Sequence, residues 1–145
     1  MLRTALLHPQ ISEALARAGH GSKVLLADSN YPAATKRGPN ARLVHLNVAP
    51  GLVSATDILR VLVETIPIEA AEVMIPQNGP EPEIFAEFRD ILQHARTFDR
   101  DHIDLTTHDR FTFYDVAQAA DVALTIQTGE QRIYANLLLT IGVVT

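Results

Sequence analysis

The short apolar run Lys23–Ala27 limits the possible folds of this chain more than any other segment. After the lysine every residue is apolar, so neither face of the segment is suited to water. A continuous apolar run of this length is typical of a strand buried on both faces of a parallel sheet. A chain of 145 residues is long enough to bury such a sheet under helices in one domain. We therefore expect an α/β protein.

Helix and strand patterns alternate along the rest of the chain. The predicted helices span residues 9–18, 54–66, 82–97 and 109–119. The predicted strands span residues 23–27, 42–46, 72–75, 103–106, 122–127 and 133–144. This order predicts a single domain over residues 1–145, a three-layer α/β/α arrangement around a mostly parallel sheet. The last two strands, joined through Thr128–Gln131, are predicted to form an antiparallel C-terminal hairpin.

Composition excludes several classes of function. The formal charge is −5 and the 12 lysines and arginines are scattered, whereas a nucleic-acid surface needs them clustered. The chain has no cysteine, which rules out disulfides, zinc–cysteine sites and thiol catalysis. No apolar run reaches the roughly 18 residues that span a bilayer, and no signal-peptide pattern is present. We expect no nucleic-acid partner, no membrane contact and a cytoplasmic location.

Two polar residues flank the apolar run. His20 follows the predicted first helix, where it is either a proton-transfer group or a partly exposed residue that ends the helix. Asp28 follows the strand, at the end where open α/β sheets bind their ligands. Its alternative role is a cap or turn for the loop that begins at Ser29. The pair could serve acid–base chemistry without a metal. The predicted helices contain no His-x-x-x-His pair, which is the spacing that would indicate a metal site.

A second group of candidates lies near the C-terminus. Tyr134 and Asn136 are two residues apart in a predicted strand, so their side chains share one face. A phenol beside a carboxamide can hydrogen-bond the hydroxyl groups of a ligand. Alternatively, the two residues form the polar outer face of an edge strand. His108 and Arg110 lie at the start of a short helix. Both are candidate site residues; alternatively, His108 is a helix-start residue and Arg110 a solvated charge. Phe111 and Tyr114, at helical spacing in that helix, are more typical of core.

Together these segments resemble the RbsD/FucU family, the ribose pyranases and fucose mutarotases. No single segment is specific, but the set is in the family's order along nearly the whole chain. The matching segments are Gly19–Gly21, Leu26–Ala33, Arg110–Tyr114, Thr128–Glu130 and Tyr134–Leu139.

The resemblance implies an isomerase that interconverts the cyclic forms of a monosaccharide without metal or cofactor. It implies that His20 is the acid/base and that Asp28 contacts the sugar and supports this histidine. It further implies a ring-shaped homo-oligomer, with a decamer as one candidate, and a site near a subunit contact. The substrate-binding residues that it implies are Asp28, His108, Arg110, Tyr134, Ala135 and Asn136.

The two branches of the family predict different sugars. The segment Arg110–Tyr114 resembles the fucose mutarotases, in which the matching arginine lines the sugar site. Thr106–His108 resembles the ribose pyranases, in which the matching histidine contacts ribose. The sequence of Tyr134–Asn136 also resembles that of the pyranases. We expect an anomer-exchanging mutarotase for a sugar such as L-fucose. The alternatives are a D-ribose pyranase and a non-catalytic sugar-binding protein associated with transport.

Overall fold

A computed structural model describes residues 2–97 and 102–144. The helices are α1 (Pro9–Arg17), α2 (Ala55–Thr65), α3 (Ile84–Leu92) and α4 (Arg110–Ala117). The strands are β1 (Lys23–Ala27), β2 (Arg42–His45), β3 (Ile68–Met74), β4 (Leu105–His108), β5 (Val122–Gln127) and β6 (Leu137–Ile141). The mixed α/β class predicted from the sequence is therefore confirmed.

The strands form one sheet in the order β2-β5-β1-β6-β3-β4. β1, β2 and β5 run parallel to one another, β3 runs parallel to β4, and β6 is antiparallel to both β1 and β3. Five strands thus share one direction, as a mostly parallel sheet requires. The expected hairpin of the last two strands is wrong, because β1 lies between β5 and β6. Every residue of Leu137–Ile141 is buried, which suits the sheet centre better than an edge.

Several elements begin or end away from their predicted positions, and β6 is shorter at both ends than the predicted strand 133–144. β3 begins at Ile68 rather than Glu72 because pairing with β6 overrides the helix-forming alanines and glutamates of its first half. α3 ends at Leu92 rather than Thr97, where His94 and Ala95 donate to carbonyls only three residues back. β4 is displaced towards the C-terminus and includes His108.

Helices cover both faces of the sheet. The larger core lies on the face covered by α1, α2 and α3, and the smaller one lies under α4 and residues 29–41. The start of α2 is fixed by a capping box, in which Ser54 and Asp57 accept hydrogen bonds from each other's backbone N–H groups. Among residues 2–97 and 102–144, no helix combines the length and apolar character needed to cross a membrane.

The sheet has two functionally different edges. β1 to β5 all end at the same edge, which we call the carboxyl edge, and β6 begins there. Asp28 follows β1 at this edge, and Tyr134–Asn136 precede β6 at the same edge. The opposite edge, which we call the amino edge, carries the turn Gly19–Ser22 before β1 and the start of β3. The topology therefore separates His20 from Asp28 by the length of β1.

Candidate functional site

A cavity of about 340 Å³ lies at the carboxyl edge. It brings together four of the residues selected from the sequence: Asp28, Arg110, Tyr134 and Asn136. The rest of its lining is Asn30, Tyr31, Met74, Tyr114 and Ile133. A concave site with aromatic and apolar walls and a few converging polar groups is typical of small-molecule binding.

Asp28 is the buried polar centre of the cavity, with 2% of its surface exposed. Asn136 holds it at two points: its Nδ2 donates to Asp28 Oδ2 at 2.9 Å, and its Oδ1 accepts from the Asp28 backbone N–H at 2.9 Å. The Asn30 N–H donates to Asp28 Oδ1 at 2.9 Å. Burial raises the pKa of the Asp28 carboxyl above its ordinary value of 3.8, although the hydrogen bonds it accepts, including those from the Tyr31 and Ala135 N–H groups, oppose this.

Tyr134 and Arg110 form the outer part of the cavity. Arg110 Nη2 donates to the Tyr134 hydroxyl at 3.1 Å. The prediction that Tyr134 and Asn136 lie in one strand is wrong, because both precede β6 and Tyr134 has a left-handed backbone with φ of 62°. Left-handed geometry is uncommon for a non-glycine residue and occurs often at functional sites. The turn nevertheless brings both side chains to the same cavity.

Two aromatic residues of the lining were not predicted as site residues. Tyr31 lies in the loop that begins at Ser29, and the helical spacing of Tyr114 predicts a core residue, but both face the cavity, with ring centroids 5.6 Å apart in an edge-on arrangement. The Tyr31 hydroxyl donates to the Lys36 carbonyl at 2.7 Å, and burial raises the pKa of this phenol. The sequence signal that could have identified Tyr31 is its position, three residues after Asp28. Phe111, also interpreted as core, is 75% exposed.

His108 and Ala135 have different positions from the rest of the predicted set. His108 ends β4 beside Met74, but its Nε2 lies 2.7 Å from Glu72 Oε2, and it is not part of the cavity lining. Glu72 Oε1 also accepts from Lys23 Nζ at 3.0 Å. The Ala135 side chain is fully buried, and this residue contributes its backbone N–H to the Asp28 carboxylate.

His20 lies at the amino edge. Its side chain is 59% exposed, and its Nε2 is 2.9 Å from Glu69 Oε2 at the start of β3. The four residue steps of β1 alone span about 13 Å, so His20 does not reach the Asp28 of its own chain. Within one chain the carboxylate in contact with His20 is Glu69, and the role of Asp28 beside His20 stays a prediction about the contact between copies.

A buried carboxylate that the sequence interpretation gave no role supports the cavity. Glu130 is 4% exposed and accepts hydrogen bonds from Arg132 on both of its oxygens. Burial alone would raise its pKa, but the bonds from Arg132 outweigh this and hold the Glu130 pKa below its ordinary value. The Glu130 carbonyl accepts from the Ser29 N–H at 2.9 Å, so this network also fixes the residue that follows Asp28.

The polar side chains that line the cavity determine what it can bind. Within residues 2–97 and 102–144, no group of three or more histidine and carboxylate side chains is placed to hold a metal ion. The cavity instead offers hydroxyl, amide, guanidinium and carboxylate groups, which match the hydroxyls of a small polar ligand in donor and acceptor capacity.

Comparison with known proteins identifies the relatives of this chain. The model of the RbsD / FucU transport protein family matches residues 1–144. The chain belongs to this family. Human fucose mutarotase is 29% identical over 151 residues, which cover 96% of this chain and 90% of that protein. A D-ribose pyranase from Clostridium perfringens is 25% identical over 144 residues, which cover 99% of each.

Solved structures of the family share the fold. The fucose mutarotase of Streptococcus pneumoniae, determined in complex with L-fucose, has a TM-score of 0.81 at 24% identity over the whole of both chains. FucU from Bifidobacterium longum has a TM-score of 0.79 at 27% identity over 95% of each chain. The chain therefore has the fold of these solved structures.

Proposed function

We propose that this protein is a sugar mutarotase, an isomerase that interconverts the anomers of a monosaccharide such as L-fucose without a cofactor. The observation that carries the proposal is the cavity at the carboxyl edge, where Asp28, Arg110, Tyr134 and Asn136 converge. The family and the two named relatives support the same reaction class. The proposed location is the cytoplasm, as expected from the sequence.

The chemistry needs only two proton movements. A proton leaves the anomeric hydroxyl, the bond from the anomeric carbon to the ring oxygen breaks, and a proton reaches that oxygen. The open aldehyde rotates and recloses. A positioned acid or base typically accelerates such a step by about 10²–10⁴-fold. Asp28, Arg110, Tyr134 and Asn136 would hold the sugar hydroxyls during this exchange, and His20 would carry the proton.

His20 has to come from a second copy of the chain in this proposal, because it lies at the amino edge of its own chain. A ring-shaped homo-oligomer, with a decamer as one candidate, would place the amino edge of one copy over the cavity of the next. Exposed apolar side chains beside the cavity support such a contact: Phe111 is 75% exposed and Ile133 is 67% exposed. Apolar surface of this kind favours association between subunits.

Fucose is favoured over ribose because the cavity is lined by Arg110, which matches the fucose mutarotases, and not by His108, which matches the ribose pyranases. Arg110 contributes to the wall, whereas His108 is turned towards Glu72. A D-ribose pyranase remains the second candidate, and one relative carries that name. In that case His108 would leave Glu72 to contact ribose.

Saturation-transfer NMR tests the reaction directly. Exchange between the anomers of L-fucose, D-ribose and D-galactose is measured with and without protein, together with pyranose–furanose exchange of ribose. We expect acceleration for fucose, and loss of at least about 10²-fold in His20→Ala and Asp28→Asn. If the protein binds a sugar but accelerates no exchange, it is a binding protein. A rate that is unchanged in His20→Ala removes the acid/base assignment.

A further inference from the structure

The amino edge contains a histidine–carboxylate pair made by residues far apart in sequence. His20 lies in the turn before β1 and Glu69 in β3, 49 positions later, yet His20 Nε2 and Glu69 Oε2 are 2.9 Å apart. Sequence proximity does not explain this contact. It depends on where the sheet places two strands.

Backbone hydrogen bonds fix both members of the pair against β6. The Gly21 N–H donates to the Ile141 carbonyl and the Ile141 N–H donates to the Ser22 carbonyl, each at 2.9 Å. On the other side of β6, the Gly142 N–H donates to the Pro67 carbonyl at 2.9 Å. The end of β6 therefore joins the turn that carries His20 to the start of the strand that carries Glu69. Both side chains are presented from ordered backbone.

We propose that Glu69 is a positioning residue that orients His20 for proton transfer to and from the sugar held by a neighbouring copy. This inference rests on the proposed function, in which His20 is the acid/base. It assigns the orienting carboxylate to Glu69 and leaves Asp28 in contact with the substrate.

The contact determines which ring nitrogen is available. An ionised carboxylate only accepts hydrogen bonds, so the His20 nitrogen that faces Glu69, Nε2, carries the proton. In the neutral ring Nδ1 is then the acceptor. It takes the proton of the anomeric hydroxyl as the ring carbon–oxygen bond breaks, and the same proton is returned to the ring oxygen. Glu69 faces the imidazolium that exists between these two transfers and stabilises its charge.

The pair has a chemical counterpart that serves as a control. His102 Nε2 lies 3.3 Å from Asp104 Oδ2, and both side chains are exposed. This pair has the same chemistry but belongs to neither the cavity nor the amino-edge turn. A general effect of removing a carboxylate beside a histidine would therefore also appear in Asp104→Asn.

A double-mutant cycle in anomer exchange tests the proposal. The variants are Glu69→Gln, Glu69→Ala, His20→Ala and the double variant His20→Ala/Glu69→Ala. Carboxylates that orient a metal-bound histidine are typically worth about 10–100-fold, so we expect about a tenfold loss of kcat in Glu69→Ala. Glu69→Gln keeps an acceptor oxygen and should lose less. If Glu69 acts through His20, Glu69→Ala causes no further loss in the His20→Ala background.

Two results would overturn the proposal. One is a loss in Glu69→Ala that is equally large with and without His20, which indicates a structural role. The other is an unchanged kcat in Glu69→Ala while His20→Ala is inactive. Asp104→Asn is expected to keep the wild-type rate, and the Kd for sugar should stay constant in Glu69→Gln because Glu69 lies outside the cavity.

NMR of the imidazole nitrogens separates this proposal from the proposed function. In the wild type, the neutral His20 ring is expected to carry its proton on Nε2, and the Nε2 signal should move in Glu69→Gln and Glu69→Ala but not in Asp104→Asn. If no sugar is exchanged and the signal still moves, the proposed function fails and the Glu69–His20 contact stands. If the signal does not move, the positioning role fails whatever the rate.

Discussion

The two edges of the sheet differ in how completely a single chain builds them. At the carboxyl edge, Asp28 is 2% exposed, and its carboxylate accepts hydrogen bonds from the Asn136 side chain and the Asn30 N–H. At the amino edge, the His20 side chain is 59% exposed and meets Glu69 at the surface. The groups proposed to hold a sugar are thus preorganised inside the fold, while the proposed proton-transfer group faces outwards.

This difference has an electrostatic consequence. A buried carboxylate keeps strong interactions with its fixed donors because little water competes. An exposed ion pair is worth only about 0–1 kcal/mol and is screened by salt. The His20–Glu69 pair gains strength only when another surface covers it. Formation of an oligomer would therefore both complete the site and strengthen its acid–base group.

The largest expected effect comes from co-expression of two inactive variants, His20→Ala and Asp28→Asn. Each alone should lose at least about 10²-fold in anomer exchange. If His20 and Asp28 of one site come from different copies, random mixed oligomers contain about a quarter of intact sites, and activity returns to about that fraction. The measurement is exchange rate per chain in the purified mixed oligomer.

The control for this experiment pairs His20→Ala with the double variant His20→Ala/Asp28→Asn, in which no combination of chains makes an intact site. It should stay inactive. Absence of recovery in the first mixture, with mixed oligomers demonstrated by mass, would contradict a site shared between copies.

The sequence predicted the strands best where burial alone sets the pattern. β1 and β5 have the bounds predicted for them, Lys23–Ala27 and Val122–Gln127, because short and mostly apolar runs bounded by polar residues leave few alternatives. The order of strands was not accessible in the same way. Nothing local in Leu137–Ile141 distinguishes a hairpin partner of β5 from a central strand beside β1.

The candidate site was predictable in its residue types and less so in its geometry. Asp28 at the end of a buried strand follows from a general rule of α/β sheets. The position of Tyr134 depends on a left-handed turn that no local pattern indicated. The Glu69 contact with His20 joins residues 49 positions apart, which only the sheet order determines.

A large effect on stability is expected when the carboxyl edge loses Asn136. Asn136→Ala removes both a donor to the Asp28 carboxylate and the acceptor of the Asp28 N–H, in a buried site. Each unsatisfied buried group costs about 1–3 kcal/mol, so for two groups urea unfolding should show a loss of about 2–6 kcal/mol. Asn40→Ala, which removes an exposed bond to the Ala120 carbonyl, should cost less than about 1 kcal/mol. Equal losses would contradict the preorganised carboxyl edge.

A smaller effect is expected at the outer part of the cavity. Tyr134→Phe keeps the ring and removes the hydroxyl that accepts from Arg110. We expect KM for sugar to rise about 3–10-fold with little change in kcat, since one ordinary hydrogen bond contributes about 0.5–1.5 kcal/mol. Tyr114→Phe is the matched control on the same cavity and should change KM less. A change confined to kcat would assign Tyr134 to the chemistry rather than to binding.

The smallest effect is a pH dependence that has opposite signs for two aspartates. Burial raises the pKa of Asp28 above 3.8, so between that value and the raised pKa the native state binds more protons than the unfolded state. The stability of the wild type relative to Asp28→Asn should therefore fall as pH rises from about 3.8 towards neutrality.

Asp109 caps α4, and the hydrogen bonds that it accepts from Thr112 lower its pKa. The stability of the wild type relative to Asp109→Asn should therefore fall as pH drops below about 3.8, from the unfolded-state pKa towards the lowered native pKa. Urea titrations across this pH range measure both slopes. Slopes of the same sign would mean that the donors around Asp28 outweigh its burial.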